Sequence, residues 1–318
     1  MFFNEACLTY SEYNLFLNKY RKAAYVFKQI AVFRKNTVGI DLLEIEWNYL
    51  DAIGTDAFEE LKKFNAFNFS IEKYQNAALD KWDFFVEKVL KEKDVIYILD
   101  SSIFQFQIWK FLLNGIEYDR LKELIEKLVK IIEPLNPKLI YFYRENVEES
   151  ILALEKMRGV QCMKNIWERD KMEPYYKGKA EGADGVKLFL KDYADIACKL
   201  FCSIDCGKLA VEITKQDWIS YEQRILSFMG LEYKESINAF PTNGVYINEQ
   251  MDLKVEINGL NMKDPNGKIR RLIPKSSSEF YVECLPVIIQ FNELGNVIIL
   301  GGQICERWTM QGTIFIKI

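Results

Sequence analysis

The apolar positions along this chain change period twice, and each change marks a different kind of structure. Over the first third they recur at helical spacing. Thr9-Tyr10-Ser11-Glu12 is a capping-box pattern that predicts a helix through about Asn18. Thr55-Asp56 opens a second helix, to about Phe64. Ser70 opens a third, to roughly Lys93, with Ala77, Trp82, Phe85 and Val89 on its apolar face. Ala24 to Phe33 fits either a strand or an amphipathic helix. From Asp94 the pattern becomes strand and helix in alternation. Val95–Asp100 is a continuous apolar run ending in a carboxylate, the pattern of a strand buried on both faces. Helices are expected over about 103–113 and 117–133. A strand at Leu139–Tyr143 follows Pro134 and Pro137. Asn146, with Glu149 three residues on, starts a helix reaching Arg158-Gly159. A helix over about 184–204, a strand Leu209–Thr214 and a helix Asp217–Met229 complete this part.

Near Phe240 the period becomes short. Asn243-Gly244, Asp264-Pro265-Asn266-Gly267 and Asn292-Glu293-Leu294-Gly295-Asn296 are turn signals between β-branched and aromatic runs. The expected fold is therefore a three-layer α/β parallel-sheet domain over 1–238, followed by a small antiparallel all-β domain over 239–318.

Composition narrows the chemistry. The 318 residues are 49% hydrophobic and carry a net charge of -4, which argues against a nucleic-acid partner. No stretch is apolar for the roughly 18 residues that a membrane helix requires. The N-terminus lacks the basic start of a signal peptide, and seven cysteines fit no simple disulfide framework, so a cytoplasmic location is expected. There is no histidine. That excludes Ser-His-Asp and Cys-His catalysis and His-ligated metal sites, and leaves acid–base work to carboxylates, Lys, Tyr or Cys.

Asp100 stands out as a strand-end carboxylate able to hold Mg²⁺ or orient a hydroxyl; the plainer reading is a cap of the helix that follows. Gln105 and Gln107 offer paired donors and acceptors to a base edge, or are solvated helix positions. Arg144, Arg158 and Arg169 suit phosphate oxyanions, or form surface ion pairs. Lys177–Gly185 (KGKAEGADG) reads as a lid remnant or as a plain loop before a helix. Cys198, Cys202 and Cys206 recur every four residues. Without a histidine to complete a site, core packing is the expected role and no metal is expected.

Three stretches carry a resemblance: VIYILDSS, EPLNPKLIYFYRENVEESILALEKMRG and KLAVEITKQDWISYEQRILSFMG. Their order and spacing resemble the thymidylate kinase-like branch of the P-loop nucleoside and nucleotide kinases, over about Cys7 to Leu231. The resemblance implies phosphoryl transfer from ATP, with Mg²⁺, to a nucleoside or nucleotide. It makes Asp100 the catalytic carboxylate and places Ser101, Gln105, Gln107, Arg158 and Arg169 around the substrate. The chain departs from that family where it matters most. Its Gly-Lys pairs (178–179, 207–208 and 267–268) lack both the following Ser or Thr and the upstream Gly of a phosphate loop. The implied protein is thus a truncated or degenerate kinase-like pseudoenzyme, incomplete at its N-terminus and not expected to be active or to hold ATP as it stands. Without the loop-bearing strand, the strands at Val95–Asp100 and Leu139–Tyr143 would pair directly, or Ala24–Phe33, a second copy or a partner chain would fill the gap. The alternative is a non-enzymatic binding or regulatory module whose β domain engages a protein or small ligand.

Overall fold

A computed structural model describes residues 4–93, 95–158, 161–232, 238–283, 285, 287–300 and 307–318, with backbone alone at 157, 158 and 307. The chain divides into two compact units, Met1–Tyr233 and Lys234–Ile318.

The first unit begins with β1 (Glu5–Thr9), α1 (Tyr10–Lys19), α2 (Ala24–Ile30), β2 (Val32–Phe33) and β3 (Thr37–Asp41). The three strands form an antiparallel sheet in the order β1-β3-β2. Its register sets Cys7 opposite Gly39 and Glu5 opposite Asp41. Alternation then gives the sheet two unlike faces. Ala6, Leu8, Val38 and Ile40 point into an apolar core shared with α1, α2, α3 (Leu42–Asn48) and α5 (Thr55–Lys62), α4 (Leu50–Ile53) lying between the last two. The capping box is formed as the sequence predicts: Thr9 Oγ1 accepts from the Glu12 amide, and Glu12 Oε2 accepts from the Thr9 amide. Asp41 caps α3 in the same manner, accepting from the amides of Leu43 and Glu44.

A second core gathers around α6 (Ile71–Val89), α7 (Gln105–Leu113) and α8 (Tyr118–Ile132). Ser70 caps α6, as its sequence position implies. The unit continues with β4 (Lys138–Tyr143), α9 (Val147–Arg158), α10 (Gln161–Asp170), α11 (Gly182–Ser203), β5 (Gly207–Glu212) and α12 (Trp218–Met229). β4 and β5 pair in parallel, Lys138 opposite Gly207 through Tyr143 opposite Glu212.

This two-stranded pair overturns the expected three-layer kinase-type sheet. Among the described residues β4 and β5 are the only parallel strands, and Val95–Leu99 is not a strand. Ile96 and Ile98 are 64% and 91% exposed instead of buried. An apolar run becomes a strand only when a neighbour accepts its backbone hydrogen bonds, and β4 takes β5 as its partner. The N-terminal third, expected to be helix-rich with only Ala24–Phe33 left open to a strand, spends three segments on an antiparallel sheet of its own. The resemblance to the P-loop nucleotide kinases fails on both counts.

The second unit is a closed antiparallel barrel of eight strands. They are β6 (Gly244–Asn248), β7 (Leu253–Asn258), β8 (Asn261–Lys263), β9 (Ile269–Pro274), β10 (Glu279–Val282), β11 (Ile288–Phe291), β12 (Val297–Leu300) and β13 (Ile314–Lys317). Each pairs with its chain neighbours, and β13 closes onto β6 with Ile316 opposite Ile247. Two of the turn signals, Asp264–Gly267 and Asn292–Asn296, fall between strands, while Asn243-Gly244 stands at the start of β6. Inward residues fill the interior: Tyr246, Leu272, Phe280, Ile289, Val297 and Phe315 are fully buried, and Trp308 joins them from a short 3₁₀ turn.

Candidate functional site

The structure disperses the residues that sequence singled out. Asp100 and Ser101 are exposed in an irregular turn, where Ser101 Oγ donates to Asp100 Oδ1 at 2.9 Å and Ser101 holds φ 53°. Gln105 is half-buried in the first turn of α7. Gln107 is fully buried. Its Oε1 accepts from the Tyr74 hydroxyl at 2.7 Å and its Nε2 donates to the Ser102 carbonyl at 3.0 Å. Both ends of the amide are thus used within the core. Arg158 closes α9, its side chain lying outside the described atoms. Arg169 grips Asp170 through Nε and Nη2, both at 2.6 Å, and lies over the Trp109 ring. Arg144 donates to the Glu149 carbonyl at 3.1 Å. Among the described atoms of the six predicted site residues, the one side-chain contact joins Ser101 to Asp100, and the Gln105 amide donates to the Ser101 carbonyl at 3.2 Å as α7 begins.

Lys177–Gly185 is pinned by its surroundings. Lys179 lies over the Tyr175 ring and pairs with Asp192, to which the Tyr175 hydroxyl donates at 2.6 Å. Beneath lies an aromatic cluster of Trp109, Tyr175, Tyr176 and Phe189. Burial raises the phenols of Tyr74, Tyr176 and Tyr193 far above their ordinary value. Burial and then the bond to Asp192 do the same for Tyr175, and Tyr141 is pushed up to about 12. A phenol whose folded pKa is raised contributes stability that is complete below pH 10 and is lost above it, because the unfolded chain ionises first. We expect the helical unit to lose about 1 kcal/mol per buried phenol for each pH unit above 10. Denaturant midpoints at pH 9, 10 and 11, with tyrosinate absorbance followed in parallel, check this; a flat profile contradicts it.

Sequence reasoning missed a cluster of buried charge. Glu5, Cys7, Thr37 and Gly39 share the face of the first sheet opposite its apolar core. The Glu5 carboxylate pairs with Arg34 and with Lys81 of α6, both nearly enclosed. Beside it Asp80 accepts from the Asn36 amide at 3.0 Å, from Asn36 Nδ2 at 3.1 Å and from Thr37 Oγ1 at 2.6 Å. Gly39 makes room for the pair, since a Cβ there would overlap Glu5 Oε1 and Arg34 Nη2. Burial pulls the Lys81 ammonium below its ordinary value, with Glu5 opposing, and pushes the Cys7 thiol up. A raised thiol is a poor nucleophile. With its charges enclosed and matched, the cluster clasps α6 to the sheet.

The second unit carries a surface of another kind. Ile273, Tyr281, Ile288 and Leu300 are successive register partners on the outside of β9, β10, β11 and β12. Beside that row Ile298 faces Ile314, and Ile316 faces Ile247. Ile314 and Ile316 are 45% and 55% exposed. The outer wall of β7 instead bears the Lys254–Glu256 ion pair. The aliphatic belt thus spans β9 to β13 and gives way to charge at β7, where Lys254 stands opposite Ile247, while Glu279 and Gln290 form a polar rung in register with Ile298. The β-branched repeats were visible in sequence, but whether each faced in or out was fixed only by the register.

Among the described residues no helix is long and apolar enough to cross a membrane, and no group of three or more His, Cys, Asp or Glu side chains is placed to hold a metal ion. No protein-family model matches the chain, and neither a curated protein nor a solved structure matches it.

Proposed function

We propose that the chain is a non-enzymatic binding module whose barrel unit engages a protein partner through its outer wall. The observation that carries this reading is the aliphatic row in register from Ile273 to Leu300, with the Ile298–Ile314 and Ile316–Ile247 pairs beside it. The geometry disfavours two other modes of binding. Among the described residues the interior is filled by aromatic and aliphatic side chains, unlike the hollow barrels that hold small ligands. Closure removes the free strand edges that would accept a peptide as an added strand. What remains is side-chain contact on a broad apolar wall, the kind of surface that marks protein interaction sites. The fitting partner presents an apolar face of its own.

Photo-crosslinking amino acids placed singly at Ile316, Tyr281 and Lys254 test the proposal in cells. We expect adducts with one other protein from the first two positions and none from Lys254 on the charged wall. Adducts only between copies of this chain, or equal labelling from all three positions, would overturn it.

A further inference from the structure

Of the three periodic thiols, Cys206 is half-buried against the core around α6, α7 and α8, as expected, but Cys198 and Cys202 are not core. α11 ends at Ser203, so Cys206 lies beyond the helix near Lys208, Asp205 and Lys138 and leaves the stripe. Cys198 and Cys202 are both exposed and unoxidised, although Ala197 and Leu200 on the same helix are buried. Cysteine is among the most buried of residue types. Two neighbouring thiols on a solvent face therefore lack the packing role that their spacing suggests. They are also neighbours: positions i and i+4 stack on one helical face, close enough for each thiol to act on the other. The charged residues around the pair are Asp195, one turn earlier, Lys199, and Lys208, whose Nζ caps the helix end by donating to the Phe201, Cys202 and Ile204 carbonyls. The phenol of Tyr141, from β4, lies close enough to feel Cys198, Cys202 and Asp195.

We propose that Cys198 and Cys202 form a two-coordinate binding site for a soft, thiophilic d¹⁰ cation of the Cu(I) class. Spacing selects metal bridging over oxidation. Positions i and i+4 of a helix hold their Cβ atoms about 5–6 Å apart. A disulfide requires about 3.8 Å and would distort the helix. Two metal–sulfur bonds of roughly 2.3 Å each span the gap with the helix intact. Donor number selects the cation. Tetrahedral zinc and iron–sulfur clusters need four ligands, the chain has no histidine, and no third metal-ligating side chain joins the pair among the described residues. Two thiolates suffice for Cu(I), which soft sulfur ligands prefer. Binding converts two thiols and one Cu(I) into a bis-thiolate complex of charge −1 and releases two protons. The Asp195 carboxylate favours the incoming cation, and Lys199 the anionic complex.

The test is an anaerobic titration of the full chain with Cu(I), in competition with the chelator bicinchoninate. One equivalent should withstand competition. C198S and C202S should each weaken it by about 100-fold or more, while C206S and C162S leave it in place. The double variant K199C/C202S keeps the number of thiols but sets them on adjacent positions that face apart, and it should not restore the site. Serine on an exposed helix face leaves the fold intact, which circular dichroism verifies. The proposal is overturned if the chain holds no Cu(I) against the chelator, if C198S or C202S retains the lost equivalent, or if K199C/C202S binds as the native pair does. Stoichiometric zinc on the same two residues would also overturn it.

Discussion

Glu5→Ala should destabilise the helical unit by about 3–5 kcal/mol, the loss expected when one member of a buried ion network is removed and its partners stay buried. This carboxylate pairs with two cations. Arg34 comes from the turn after β2 and has its guanidinium almost wholly enclosed, with Nε and Nη1 facing no protein acceptor among the described residues. Lys81 comes from α6. Taking Glu5 away leaves both positive charges facing a methyl group. Glu5→Gln should recover part of the loss, since it keeps the shape and an acceptor oxygen but not the charge.

The pH dependence separates this explanation from simple loss of packing. Burial already lowers the Lys81 ammonium, and Glu5 is the principal group opposing that shift. Without Glu5 the folded pKa of Lys81 falls further. A lysine whose folded pKa lies below its unfolded value costs stability at low pH, where both states are protonated. That cost lifts as pH rises from the folded pKa toward 10.5. The deficit of Glu5→Ala against the native chain should therefore narrow between pH 7 and pH 9.5, without closing, because Arg34 stays charged throughout. Denaturant unfolding at the two pH values measures it. A deficit below about 1 kcal/mol, or one that does not change with pH, would remove the cluster's structural role. Lys81→Met in the Glu5→Ala background should restore part of the stability, since a buried charge without this carboxylate is worse than an apolar side chain of similar volume.

What sequence revealed and what it concealed divide along physical lines. Most local signals held where their chemistry is local, although Thr55-Asp56 begins its helix without a side-chain cap. Thr9 with Glu12, Ser70 and Asp217 each bind amides within three residues, so the motif and its consequence lie in one stretch of chain. Signals that need a distant partner failed. Val95–Leu99 has the composition of a buried strand, but pairing is a property of two segments, and no described strand lies beside it. β1 and β3 were missed for the converse reason. EACLT and TVGID are five residues each, with an Ala and a Gly among their inward and outward positions, and helix caps adjoin both. Gln105 and Gln107, read as a pair, sit two apart on a helix and so face different ways: one is half-exposed and the other is locked to Tyr74. The cysteine spacing correctly implied one helical face as far as the helix ran, but three residues of one type cannot tell an inner face from an outer one. The charge cluster was the least legible feature, because Glu5, Arg34 and Lys81 come from three separate elements and no spacing links them.

In the barrel the change with the largest expected effect is Asp264→Ala, which should cost about 3–5 kcal/mol and act on the second unit. Asp264-Pro265-Asn266-Gly267 was legible as a turn, and the structure shows why the aspartate leads it. Oδ1 accepts from the amides of Asn266 and Lys268, both at 2.9 Å, while Gly267 takes φ 80°, a conformation open to glycine. The second oxygen does what no turn rule implies. Oδ2 accepts from Arg270 Nε at 2.7 Å inside the barrel, where the Asp264 side chain is fully buried and that of Arg270 is 10% exposed. One carboxylate thus closes the β8–β9 turn and neutralises a guanidinium at the edge of the core. Alanine removes both functions. Asparagine keeps an oxygen for the two amides but sets an NH₂ group against the Arg270 donor, so Asp264→Asn should retain the turn and still lose about 2–3 kcal/mol from the charged bond. Amide exchange read separately on β8, β9 and β10 distinguishes the two. Alanine should expose the turn amides of Asn266 and Lys268 together with the strands. Asparagine should keep those two amides protected relative to alanine, while the strand amides exchange faster than in the native chain. Equal protection of the strands in native chain and both variants would mean that the Asp264–Arg270 bond contributes nothing. Arg270→Met added to Asp264→Asn should then recover stability, because it removes the buried donor that asparagine cannot satisfy, and a further loss in that double variant would show that the guanidinium packs the barrel independently of the aspartate.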